Sequence, residues 1–147
     1  MANHLRRQIR EAAATRVTGL ATTSSRVFQM RVYPLQVAEL PGLLVFTNNE
    51  TAQRLTLGAP SIMERSLELV VEGYARATSN LDDTLDGIAK EVEVAIAADY
   101  GLGGLAKAAT LRSTQVELVD ADQPIGMVRL TFDVTYMSRE NAPDVAL

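Results

Sequence analysis

Gly126-Met127-Val128-Arg129-Leu130-Thr131-Phe132-Asp133-Val134-Thr135-Tyr136-Met137 carries the cleanest periodic pattern in the chain. Val128, Leu130, Phe132, Val134 and Tyr136 share one parity; Arg129, Thr131, Asp133 and Thr135 share the other. Side chains alternate across a strand, so this is a strand with one dry and one wet face. It is expected centrally in an antiparallel sheet, with Arg129 and Asp133 pairing along its wet face.

Immediately upstream, Asp120-Ala121-Asp122-Gln123-Pro124 reads as a hairpin loop, and Gln115 to Val119 as a short strand. Gly101-Leu102-Gly103-Gly104 stops a helix. That cluster follows a helix rather than a strand and lacks the Lys-Ser/Thr of a phosphate-binding loop, which argues against a phosphate cradle. The helix runs back from about Tyr100 to a cap at Ser79-Asn80, with Asp82, Asp83 and Asp86 in its first turns. Leu81, Leu85, Ile88, Val92, Ala95 and Ile96 form its apolar stripe.

From Glu64 to Ala77 alternation returns, with Leu67, Leu69 and Val71 opposite Glu68, Glu72 and Arg76. Gly73 suggests a bulge or the close approach of a neighbouring backbone. Glu64, Glu68 and Glu72 make a carboxylate row. It reads as a wet sheet face; as a metal site it would suit only a hard cation. Leu43-Leu44-Val45-Phe46 suits a strand buried on both faces, and residues from Thr47 to about Pro60 read as an extended loop or hairpin tip. Val27 to Leu35 reads as a strand, with Pro34 at an edge or at its end. Leu5, Ile9, Ala12 and Ala13 place an amphipathic helix over about Asn3 to Thr15, with Asn3 as its N-cap. Arg6, Arg7, Arg10 and Arg16 read as a solvated helix face, with a docking face as the alternative. The tail, Arg139 to Leu147, is polar and expected to fray.

Strands outnumber helices, and two amphipathic helices can cover one sheet face. The fold class is therefore α+β: a two-layer sandwich with a mainly antiparallel or mixed sheet and both helices on one side. At 147 residues the chain is expected to form a single domain over 1–147, with 139–147 as a flexible tail. No cysteine is present, which excludes disulfides and thiolate metal sites. The net charge of −4 argues against general attraction to nucleic acid phosphates. No long apolar run suggests a membrane span. The single histidine, His4, sits near the N-terminus, so a Ser-His-Asp arrangement is not supported. The residues alone point to no enzyme and call for no cofactor; a divalent cation that promotes assembly stays open.

Several segments, in order and spacing, resemble the tail terminators of long, non-contractile phage tails, the minor tail protein U family. They are Arg26-Val27-Phe28, Arg31-Val32-Tyr33-Pro34-Leu35, Leu40-Pro41-Gly42-Leu43-Leu44-Val45-Phe46 with the polar turn Asn48-Asn49-Glu50, the Leu-, Val- and Glu-rich strand before the helix at 80–100, and Pro124-Ile125-Gly126 leading into Leu130–Tyr136. The resemblance covers about residues 1 to 139. It implies a structural virion protein that caps the tail tube as a hexameric ring at the junction of tail and head. Its partners would be further copies of itself, the tail tube protein and a head-completion protein. DNA would pass through the ring without specific binding. A neck connector or tail-completion protein is the alternative within the class, and a small ligand-binding or enzymatic domain the alternative outside it. A ring needs two different patches on each subunit. The candidates are the wet third-strand residues Glu64, Glu68, Glu72 and Arg76, together with Arg26, Arg31 and Arg54.

Overall fold

A computed structural model describes residues 2–29, 39–76, 79–120 and 125–147. Its elements in chain order are α1 (Leu5–Arg16), β1 (Val27–Phe28), β2 (Gly42–Arg54), β3 (Ile62–Arg76), α2 (Leu81–Ala97), β4 (Ala108–Asp120) and β5 (Ile125–Arg139). The strands form one sheet in the order β1-β2-β3-β5-β4. β1 joins β2 in parallel and the other pairs are antiparallel, so the sheet is mixed. β5 has a strand on each side, as its alternation suggests.

The dry parity of β5 builds the core. Val128, Leu130, Phe132, Val134 and Tyr136 are all buried beside Leu67, Leu69 and Val71 of β3. Both helices cover this face. α1 lies over β2, and α2 over β3 and β5. Leu5, Ile9 and Ala13 descend from α1, and Leu85, Ile88, Val92 and Ile96 from α2. Each buried large apolar side chain contributes roughly 1.5–3 kcal/mol against the entropy of ordering the chain. Gly73 marks a close approach, although by a side chain rather than a backbone: a Cβ there would lie 2.6 Å from Ile88 Cγ2. The strand register runs through Gly73 without a bulge.

The opposite sheet face is only partly wet. Leu44, Tyr74, Ile125 and Met127 form a second buried cluster there, with Phe28, Leu40 and Phe46 against it. This explains the unbroken apolar run at 43–46, which is covered on both sides.

Several boundaries differ from the sequence expectation. α1 starts two residues later than Asn3, and its N-cap is His4, whose Nδ1 accepts the Arg6 N–H at 3.1 Å. The stretch from Thr47 to Arg54, expected as loop, continues β2, and only the tip before Ile62 turns. β4 is also longer than Gln115–Val119 and begins at Ala108. In both cases polar residues occupy strand positions that pair with an interior strand, so ladder bonding outweighs composition. The strand expected from Val27 is described only to Phe28, and the loop residues 121–124 lie outside the described residues. The last residues, expected to fray, are tied to the body. Pro143 O accepts from Leu5 N, Asp144 O from Gln8 Nε2, and Met137 O from Leu147 N.

Candidate interaction surface

Glu64, Glu68, Glu72 and Arg76 do share one face of β3, the face turned away from the helices, because they alternate with the core residues Leu67, Leu69 and Val71. They do not behave alike. Glu72 is buried rather than wet: Arg129 Nε donates to its Oε2 at 2.7 Å and Tyr74 Oη to its Oε1 at 2.8 Å. Arg129 reaches on to Gln115 Oε1 at 3.0 Å. Arg129 therefore pairs with Glu72 across the strands and not with Asp133 along its own strand. Asp133 instead accepts a hydrogen bond from Ser66. Lateral neighbours in a sheet stand closer than residues four apart on one strand, which decides the pairing. The hydrogen bond to Glu72 holds the Arg129 guanidinium charged. Burial first, and the bond to Glu72 second, push the Tyr74 phenol well above its ordinary range.

Around this pair lies a cleft of about 420 Å³ lined by Phe46, Glu68, Val70, Glu72, Arg129 and Thr131. Glu68 faces Asp133 across the strands. Arg76 is exposed at the far end of β3. Among the described residues, no three histidines or carboxylates converge in a way that could hold a metal ion.

The remaining candidates lie on the rim. Arg26 Nε donates to Pro41 O at 2.6 Å and Nη2 to Thr22 O at 3.2 Å, so it pins the loops beside β1. Arg54 stands 3.7 Å from Glu140 and is half exposed. Arg31 lies outside the described residues. The N-terminal arginines are also engaged: Arg7 pairs with Glu11, Arg10 with Gln29, and Arg16 donates to Ala95 O.

Sequence reasoning missed a second polar centre, under the start of α1. Arg6 Nη1 lies 2.7 Å and Arg65 Nη1 3.3 Å from Glu50 Oε2, while Tyr136 donates its phenol proton to Glu50 Oε1. The Arg65 guanidinium also sits 5.9 Å from the centre of the Tyr136 ring. Glu50 reads as a turn residue because of Asn48-Asn49 before it. The hidden element is a bulge. Thr47 pairs with Leu69 but Glu50 pairs with Leu67, so one extra β2 residue reverses the parity and turns Glu50 toward the helices. Sequence reasoning also missed two apolar exposures. Leu57 at the β2–β3 tip is 98% exposed, and Val116 and Leu118 on β4 are 52% and 61% exposed.

The profile of the phage minor tail protein U family matches residues 4–136. The chain belongs to that family. It is a structural protein of a phage tail and a component of the virion. Its fold is similar to a chain in the virion of a native gene transfer agent particle, with a TM-score of 0.52 and 14% identity over 92% of each chain. No curated protein matches the chain. The chain pairs a two-helix layer with one mixed sheet. None of its helices, among the described residues, is long and apolar enough to cross a membrane.

Proposed function

We propose that the chain caps the end of a phage tail tube as a ring of six copies, ends tube polymerisation and presents the surface to which the head attaches. The observation that carries this reading is the family match across residues 4–136, nearly the whole fold. The net charge of −4 agrees with it, because a ring through which DNA passes must not hold phosphates tightly. The surfaces we assign to tube or subunit contact are Glu64, Glu68 and Arg76 on the open sheet face and Arg54 on the rim. Glu72 and Arg26 already have partners within the subunit and support those surfaces. Arg31 is proposed on sequence alone.

Two measurements test the reading. The mass of the species in solution, followed across protein concentration and magnesium, is expected to move from one copy to six. Purified protein added to growing tail tubes is expected to stop elongation and to appear as a ring at one end in electron micrographs. Protein that stays monomeric in every condition and leaves tube growth unchanged would overturn it. Protein that joins filled heads but ignores tubes would make it a neck connector instead.

A further inference from the structure

We infer that the outer edge of β4 is the contact between subunits, paired with an extended segment of a second copy of this chain. The inference rests on the ring reading above. β4 ends the sheet order, so no strand lies beside its outward N–H and C=O groups among the described residues. Such a row is a template for another strand. The strand has 13 residues, a length of roughly 44 Å at the usual rise. Proteins that must stay apart blunt an edge like this with proline, lysine, inward charge or bulges. β4 contains neither proline nor lysine. It does carry two bulges, one between Leu111 and Ser113 and one between Leu118 and Asp120, and the regular run between them, Ser113 to Leu118, is the part of the edge left open to pairing.

Side chains strengthen the case. Leu111, Val116 and Leu118 pair with Phe132, Val128 and Gly126, which places them on the helix side of the sheet. α2 lies mainly over β3 and β5, touches β4 only slightly, and leaves all three exposed. A strand docked on the edge would bring its own side chains against them, as neighbours do within a sheet.

Charge selects the occupant. Each copy carries −4, so two copies repel over most of their surfaces. Arg112 and Glu117 cancel along the exposed part of β4 from Thr110 to Leu118. A like-charged copy can approach where the local charge sums to zero, whereas a nucleic acid or a strongly charged partner gains nothing there. A ring also requires β4 to meet a segment other than the neighbour's β4, because strand-to-same-strand pairing closes a two-fold dimer and stops.

The test uses the full chain, with hydrogen exchange and solution mass followed from dilute to assembled protein. As rings form, outward amides of Ser113–Leu118 are expected to slow their exchange by roughly tenfold or more. A Val116→Lys/Leu118→Lys variant is expected to keep the wild-type thermal midpoint and remain monomeric where wild type assembles. If that variant does not fold, the wild-type exchange pattern decides. Rings whose β4 amides exchange as fast as in the monomer overturn the inference and leave the ring reading standing, as does a folded double variant that assembles normally. Growth that ends at a dimer with β4 protected overturns the heterologous pairing. A chain that forms no ring, alone or on tubes, removes the ring reading and this inference with it.

Discussion

His4 joins the start of α1 to the polar centre beneath it. Its Nδ1 accepts the Arg6 N–H, which only the neutral ring can do. Burial, and then the Arg6 charge, lower its pKa from 6.5. The folded protein thus binds the His4 proton less readily than the unfolded chain. Its contribution is present above pH 6.5 and is lost as pH falls through the lowered value. His4→Ala is expected to cost about 1 kcal/mol at neutral pH. His4→Asn should keep the cap and lose this acid dependence, and denaturant midpoints compared at neutral and mildly acidic pH check both. Glu50 matters more. Glu50→Ala leaves the Arg65 guanidinium, 13% exposed, without its carboxylate and the Tyr136 hydroxyl without its acceptor. A loss of about 3 kcal/mol is expected in equilibrium unfolding. A measured loss below about 1 kcal/mol, the scale of a surface pair, would show that the centre is not acting as a buried one.

At the scale of elements, α2 and the sheet meet through two glycines that differ in tolerance. A Cβ at Gly73 meets the branched methyl Ile88 Cγ2 at 2.6 Å and Val128 Cγ1 at 3.2 Å. A Cβ at Gly126 meets the ends of Leu81 and Leu85 at 2.9 Å, which can rotate away. Gly73→Ala is therefore expected to destabilise by about 1–3 kcal/mol, and Gly126→Ala by clearly less. Thermal unfolding of the two variants side by side tests the order. The legibility of each element followed its periodicity. The stripes of α1 and α2, the alternation of β5 and the doubly covered run at 43–46 were all readable. β2 beyond Thr47 was not, because the bulge shifts the phase of the pattern. Nor was the start of β4, whose Ala108-Ala109-Thr110 carries little preference of its own and is held by pairing with Thr135, Val134 and Asp133.

Across the whole molecule, two tyrosines link the sheet faces to the alkaline limit of stability. Tyr74 on the open face and Tyr136 on the helix face are both raised above 10.0, each by burial first and then by a hydrogen bond to a glutamate. The unfolded chain gives up these protons earlier than the folded one. Their contribution is thus intact below about pH 10 and declines as pH rises beyond it. Urea midpoints are expected to fall above that pH. A Tyr74→Phe/Tyr136→Phe variant should begin less stable and show a shallower alkaline slope; an unchanged slope would mean that other groups set the limit. On the same scale, the candidate surface divides into a supported face around Glu72 and Arg129 and an open edge along β4.

The sequence by itself determined the α+β class, the two helix stripes, the dry face of β5 and the family, because each depends on local period or on the order of segments. It also placed Glu64, Glu68, Glu72 and Arg76 on one face, since parity along an unbulged strand is a local property. Only the tertiary structure decided which of these charges stay in water. Glu72 is buried because Arg129, from a distant segment, arrives directly opposite it in the sheet and joins Tyr74, two residues along its own strand. Glu50 turns inward because one extra residue reverses its strand, and β4 stands at the edge because β5 pairs between it and β3. Pairing partners and register are relations between segments, and periodicity within one segment carries no record of them.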